Sequence, residues 1–306
     1  MDTINDFEFK QRKYMPVFPK ANGKTTAYIE GYPCEDDEPM SATDFHGEQI
    51  SAIYEQFKRY FAINELVYIG IDSFIYYSEG DITKCVAPDI HIVFGVAKYP
   101  LRRSFYTWAE GTAPVAVFEF LSEATARQDR NEKVGVYLND IGVQEYFIHQ
   151  PELEKPAEFR GWRQHLSGGI IEMEPDADGG LFSEALNLYF RWEEQHRTHV
   201  RLLRPYLPDG TPITTSLEEH YLREAAQARA EEEAHLREAA QARAEEEAHL
   251  RQDAEKLAAA EAQRRKEEAQ RRQDAEKLAA TEAQRRQDAE AELEKLRTQL
   301  ANLQRQ

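Results

Sequence analysis

From Ser216 onward the chain contains no proline and no glycine, and its last aromatic residue is Tyr221. Ala, Glu, Arg, Gln and Leu dominate this stretch, a composition that specifies one long helix and excludes a packed α/β core there. The stretch also repeats. "LREAAQARAEEEAH" occupies 222–235 and again 236–249, and "RQDAEKLAA" occupies 251–259 and 272–280. Offsets of 14 and 21 residues are two and three heptads, the spacing of a coiled coil. Leu222, Leu236, Leu250, Leu257 and Leu278 share one heptad position, but Arg229, Arg243, Arg264 and Arg271 share it too. Only Leu293, Leu296, Leu300 and Leu303 form an apolar pair of seams, in a shifted register. Two readings stay open at this stage: a solvated single helix laced by ion pairs, or an oligomerisation arm zipped best near its C-terminal end.

The first 215 residues have different physics, mixing aromatic strands, glycine turns and prolines. They carry 21 Lys and Arg against 34 Asp and Glu, and the remainder carries 17 against 22, for a net charge of −18 overall. An acidic body is not the footprint of a protein that coats nucleic acid, so contact with DNA requires a local basic patch. The two cysteines, Cys34 and Cys85, have no metal-ligand or redox spacing. Cysteine usage of this kind suits a reducing compartment. The opening "MDTINDFEFKQRK" lacks the apolar core of a signal peptide, and no run of eighteen apolar residues occurs. The expectation is a soluble, cytoplasmic protein without a membrane partner.

Periodicity sets the order of elements in the body. Ile50, Ile53, Tyr54, Phe57 and Phe61 have helical spacing, with Ser41 and Asp44 as candidate caps. "ELVYIGIDSFIYYSEGD" reads as strands with a turn at Glu79–Gly80. Strands follow at 89–96 and 114–121. Thr125 with Gln128 suggests a capping box for a helix that puts Val134, Tyr137, Leu138 and Ile141 on one face and stops near Gly142. "VQEYFIH", "FRGWRQHL" and "GGIIEMEP" supply three more strands. The fold class is α/β or α+β, with a mixed sheet.

Two of these strands carry acids where strands avoid them. Asp89 opens "DIHIVF" after Pro88, and Glu119 sits among the aromatics of "VAVFEFLS". Side chains alternate along a strand, so Asp89 and Glu119 project from one sheet face if the two strands pair. Adjacent carboxylates repel unless a cation lies between them. Oxygen ligands suit Mg²⁺ or Mn²⁺, which lower the pKa of bound water and polarise a phosphoryl oxygen. On the next helix, Asp129 and Lys133 lie four residues apart on one face. They are either an ordinary helix ion pair or part of the site, with the lysine neutralising phosphoryl charge.

The order Pro88-Asp89, Trp108, Glu110-Gly111, Pro114, Glu119, Ser122, Thr125, Asp129, Lys133, Tyr137, Gly142-Val143, Glu145-Tyr146 and Pro151 resembles the Uma-type family of bacterial restriction-endonuclease-like proteins. That family belongs to the PD-(D/E)XK nuclease superfamily. "YIEGYP" around Glu30-Gly31, the helix opening at His46 and "VRLLRPYLPDG" also fit, so the resemblance covers roughly 25–215. It divides the chain into an N-terminal extension (1–24), a nuclease-like domain (25–215) and a charged helical tail (216–306). It implies a restriction-endonuclease-like core sheet flanked by helices, with a metal held by Asp89 and Glu119. The superfamily's lysine normally follows the acid by two residues, where this chain has Leu121. Lys133 stands where the family's own motif has a lysine, so the resemblance implies a lysine moved to the helix.

The expectation is therefore a metal-dependent DNA endonuclease using Asp89, Glu119 and Lys133, dimerised through its tail. The alternative is an interaction protein that keeps the fold as a platform. Around this set, His91 either lines the site or packs in the strand. Glu30 adds a carboxylate or only closes its turn. His46 reads as structural, or as a cap. Lys98, Arg102 and Arg103 form a compact basic cluster that either meets phosphates or, the simpler reading, is a solvated loop.

Overall fold

A computed structural model describes residues 2–35, 43–165 and 167–303. The chain divides into two compact units, Met1–Leu222 and Arg223–Gln306. The first unit is a mixed α/β assembly. Its main sheet has six strands, β1 (Val67–Ile71), β4 (Ile90–Phe94), β6 (Ala116–Phe120), β7 (Glu145–His149), β8 (Phe159–Gln164) and β9 (Ile170–Glu172), in that spatial order. Only the β6–β7 pair is parallel, so the chain must cross over between those two strands. Three short strands, β2 (Ile75–Tyr76), β3 (Cys85–Val86) and β5 (Phe105–Tyr106), make a side sheet, and the one-turn helix α3 (Thr107–Glu110) follows β5 directly. A third sheet joins β10 (Leu181–Ser183), β11 (Leu188–Gln195) and β12 (Val200–Tyr206).

The main sheet is covered on both faces. Helix α2 (Asp44–Tyr60) buries Ile53 and Phe57 against Ile90, Ile92, Phe118 and Phe147, and the third sheet closes the same core with Phe190 and Leu203. On the other face Val117, Leu121 and Tyr146 pack under Tyr137 and Leu138 of the crossover. Alternation along β6 decides the split: Phe118 and Phe120 face α2, while Val117 and Leu121 face the crossover.

Helix α1 (Asp2–Tyr14) belongs to this first unit. Its buried Gln11 amide donates to the carbonyls of Arg59 and Tyr60, two of the acceptors that the end of α2 leaves open. At the other end of α2, Thr43 is the N-cap and accepts from the His46 amide at 3.4 Å. The expected cap Ser41 lies outside the described residues.

The crossover departs from the single capped helix that the pattern suggests. It runs as α4 (Ala126–Arg130), α5 (Glu132–Gly135) and a π-helical turn (Val136–Ile141). Thr125 has helical dihedrals and makes no side-chain cap; its own amide donates to Ser122 Oγ at 3.2 Å. Asn131, at φ −129° and ψ −75°, breaks the helix between α4 and α5. The wide turn loosens the backbone ladder, and Gln164 of β8 donates to the Leu138 carbonyl. Gly142 ends the segment at φ +84°, a left-handed position suited to glycine.

The basic cluster at 98–103 is not a solvated loop at Arg102. That guanidinium is fully buried and paired with Glu110, Nε to Oε1 at 2.6 Å and Nη2 to Oε2 at 3.2 Å. Glu110 also accepts from the Thr26 amide at 2.9 Å. The pair thus ties the 102–110 segment to the strap before β1, which explains its burial better than any phosphate contact.

Helix α6 runs from Ser216 to Leu303. In the second unit, Leu236, Leu250, Leu257 and Leu278 are all exposed. Ion pairs four residues apart recur along it, Glu233–Arg237 and Glu247–Arg251 at 2.6 Å and Glu268–Arg272 at 2.9 Å. Each such pair adds a few tenths of a kcal/mol to helix stability, roughly 0.2–0.5. Among the described residues no helix is long and apolar enough to cross a membrane.

Candidate functional site

The pairing of β4 with β6 aligns Ile90 with Phe118, and one further step of that antiparallel register sets Asp89 opposite Glu119. Pro88 ends the preceding loop, so Asp89 enters at the tip of β4. From there its carboxylate reaches across the strand gap. Oδ2 accepts from the Phe120 amide at 2.6 Å, and the Asp89 amide points at Glu119 Oε2 at 3.4 Å. Asp89 is thereby tied to the backbone of β6 beside Glu119, and Glu119 more loosely to the backbone of Asp89.

Lys133 reaches the same place from α5. Its ammonium donates to Glu119 Oε1 at 2.8 Å and stands 2.7 Å from Asp129 Oδ1. Asp129 and Lys133 are therefore a helix pair with the expected four-residue spacing, yet not an ordinary surface one, because Asp129 is 1% exposed. Tyr137, delivered by the π-helical turn, donates its hydroxyl to the same Glu119 Oε1 at 2.7 Å. Leu121, two residues after Glu119, is buried in the core beneath the crossover. The chain thus fills that slot with packing and brings a cation in from the helix.

His46 belongs to this constellation as well. Thr43 caps its backbone amide, while its ring Nε2 lies 2.9 Å from Asp89 Oδ1. Asp72 stands close by. It follows β1 at φ +42°, a strained left-handed position for a side-chain-bearing residue, and its amide donates to the Asp89 carbonyl at 3.1 Å. Tyr137, Asp72 and the contact of His46 with Asp89 escape sequence reasoning. Tyr137 reads as one more apolar-face residue, and a lone Asp after a strand carries no pattern.

Electrostatics follow from this crowding. Burial pushes the Glu119 carboxyl up to about 7, helped by Asp89 and Asp129 and opposed by Lys133. Burial disfavours charge on Lys133, but Glu119 and Asp129 outweigh it and hold the ammonium above its ordinary range. His46 behaves alike: burial works against its charge, and the bond to Asp89 with the fields of Glu119 and Asp72 raises its pKa overall.

The remaining candidates lie elsewhere. His91 packs its ring against Tyr68 and Phe105, fully buried, and neither ring nitrogen has a hydrogen-bond partner among the described residues. Burial, with Arg102 nearby, lowers its pKa to about 3, so it packs as a neutral ring. A side chain at Gly70 would meet that ring at 2.0 Å, which is why a glycine faces it. Glu30 is exposed in a turn closed by the Tyr32 amide on the Ile29 carbonyl, with Gly31 at φ +88°.

Among the described residues no group of three or more His, Cys, Asp or Glu side chains forms a ready metal cage. The Asp89–Glu119 pair instead offers hard oxygen donors only. Glu119 Oε2, whose hydrogen bond from the Asp89 amide is long at 3.4 Å, retains lone pairs for a further partner. Two carboxylates with water in the other positions fit Mg²⁺ or Mn²⁺, which keep several waters, and do not fit zinc in a closed four-ligand site.

No family model matches the chain, and no curated protein matches it. Among solved structures, the chain is similar to one described as "a putative nuclease belonging to DUF820" from Anabaena variabilis ATCC 29413. The likeness spans 49% of this chain and 77% of that one, at 18% identity and a TM-score of 0.31.

Proposed function

We propose that the chain is a divalent-metal-dependent endonuclease of the PD-(D/E)XK type that hydrolyses DNA phosphodiester bonds. The observation that carries this reading is the convergence of Asp89, Glu119 and Lys133, from two strands and a helix, on one buried patch of alternating charge. Burying Glu119 and Asp129, with Asp89 and Lys133 half-buried beside them, costs several kcal/mol, and a fold has no mechanical need for it. In this reading Asp89 and Glu119 hold Mg²⁺ or Mn²⁺, which supplies an activated water and a Lewis acid for the phosphoryl oxygen. Phe120 and His46 orient Asp89 through its two oxygens. Tyr137 fixes the Glu119 rotamer. Lys133 offers an ammonium to the charge that grows on the phosphoryl group. DNA is the partner, the tail joins two copies so that both strands can be cut, and the protein acts in the cytoplasm.

The test is nicking of supercoiled plasmid with Mg²⁺ or Mn²⁺. Cleavage that needs the metal, and that Asp89→Ala and Glu119→Ala each abolish in folded protein, is the expected result. Cleavage retained in both variants refutes the assignment.

One observation favours a second reading, an interaction protein built on the same fold. Glu119 Oε1 is already bonded to both Lys133 and Tyr137, so the charges are partly satisfied without any metal. A platform of this kind shows no rise in melting temperature with Mg²⁺ or Mn²⁺, whereas a metal site gains stability by linkage.

A further inference from the structure

Lys133 is in contact with two carboxylates at once, and only one of them belongs to the proposed metal site. Its ammonium lies 2.8 Å from Glu119 Oε1 and 2.7 Å from Asp129 Oδ1. Asp129 is buried, its Oδ2 has no hydrogen-bond partner among the described residues, and Lys133 is its ion-pair partner. Tyr137 holds Glu119 Oε1 independently of the lysine. Glu119 can therefore lose the ammonium and stay in place, and the ammonium can leave Glu119 and stay paired.

This arrangement matters because a divalent ion and an ammonium repel. A Mg²⁺ sits roughly 2.1 Å from a ligand oxygen, so an ion on Glu119 comes within a few ångströms of the lysine nitrogen. Both draw on the charge of one carboxylate. Resting on the reading that Asp89 and Glu119 bind the metal, we infer that Lys133 is a resident counter-cation that competes with the divalent ion for Glu119, and that Asp129 is the positioning residue that receives the ammonium when the metal enters. Asp129 then does two things. It keeps the lysine beside the reacting phosphate, and it lowers the cost of releasing Glu119. The missing lysine at position 121 makes sense on these terms. A lysine held only by Glu119 has no second seat, and one on the crossover helix acquires it from a residue one turn earlier.

The experiment is Mn²⁺ binding followed by electron paramagnetic resonance of the free ion, at pH 8, on the full-length protein. The variants are Lys133→Met, Asp129→Asn, the double substitution and Glu119→Gln, each checked for its circular dichroism spectrum. Lys133→Met tightens Mn²⁺ binding about tenfold or more, because the competitor is gone. Asp129→Asn weakens it by a similar factor, because the ammonium has no other seat. The double variant has the same net site charge as the wild type, so its tighter binding isolates the freeing of Glu119 from a simple change of field. It also leaves no unpaired carboxylate at 129, and it decides the question if Lys133→Met fails to fold. Binding that is unchanged or weaker in folded Lys133→Met and in the double variant overturns the competition while leaving the nuclease reading intact. Mn²⁺ binding that Glu119→Gln does not alter, or no binding in any variant, overturns the metal site itself and the inference with it.

Discussion

Metal affinity at this site is expected to fall steeply with acidity in a range where carboxylate sites are normally flat. Burial, with Asp89 and Asp129 nearby and Lys133 opposing them, pushes the Glu119 carboxyl up to about 7. Only the ionised carboxylate is a ligand, so a metal must displace the proton. The sign follows directly: below the raised pKa protons win, and affinity drops as pH falls. For a pKa near 7 the ionised fraction falls about tenfold between pH 8 and pH 6, whereas an ordinary glutamate near 4.3 changes by only a few per cent. The assay is a Mn²⁺ titration at half-unit steps from pH 6 to 8. Calorimetry at pH 7 in two buffers of different ionisation enthalpy adds a second readout, the release of about half a proton per ion bound. His46, bonded to Asp89 and itself raised, acts in the same direction when it protonates. The titration is therefore repeated in His46→Gln, where the Glu119 slope survives. An affinity that stays flat down to pH 6 in both proteins refutes the placement of the metal on a buried Glu119.

Three further expectations test the surrounding structure. His91→Leu leaves Mn²⁺ binding and cleavage unchanged, because that ring packs away from the acids; loss of cleavage in folded protein refutes this. The wild type is stabilised above pH 6.5 by keeping His91 neutral and loses that stability as pH falls toward about 3. The shift corresponds to ~5 kcal/mol, so His91→Leu moves the acid-unfolding midpoint to lower pH. Arg102→Met leaves Glu110 buried without its partner and costs about 3–5 kcal/mol in denaturant unfolding. Adding Glu110→Gln recovers part of it, and a loss of DNA binding without loss of stability sinks the structural role. Leu250→Asp with Leu257→Asp places charge on the leucine stripe and lowers the sedimentation mass from dimer to monomer. An unchanged mass refutes tail-mediated pairing.

Much of the site was legible because it rests on alternation. Proline before Asp89, the apolar positions around it and the aromatic pattern around Glu119 mark two strands and the face each acid takes, while the pairing that brings the acids together comes from the β4–β6 register. The spacing of Lys133 from Asp129 left an ordinary helix pair open, and only the family resemblance singled the lysine out. What pattern could not supply was anything set by a local break in regularity. Asn131 and the π-helical turn interrupt the crossover, and the turn is what carries Tyr137 onto Glu119. Arg102 looked like loop charge because nothing near it in sequence identifies Glu110, eight residues on, as its buried partner. The strands β10 and β11 also escaped: β10 is only three residues long, and the polar half of β11, with Glu193 and Glu194 adjacent, breaks its alternation. Helix α1 is polar along much of its length, and its contacts with the end of α2, through Gln11, Phe7 and Tyr14, are all long-range.

The repeats of α6 have a consequence for how the protein can change over generations. A tail built of identical 14-residue units changes length in whole units when a copy is gained or lost. Each copy of 14 residues adds about 21 Å of helix, and each 21-residue unit about 32 Å. Because both are whole heptads, a gain or loss leaves the leucine stripe and the ion pairs in phase. The reach of the tail is therefore a quantity that can drift in steps of two or three heptads while Asp89, Glu119 and Lys133, in a separate unit, stay untouched.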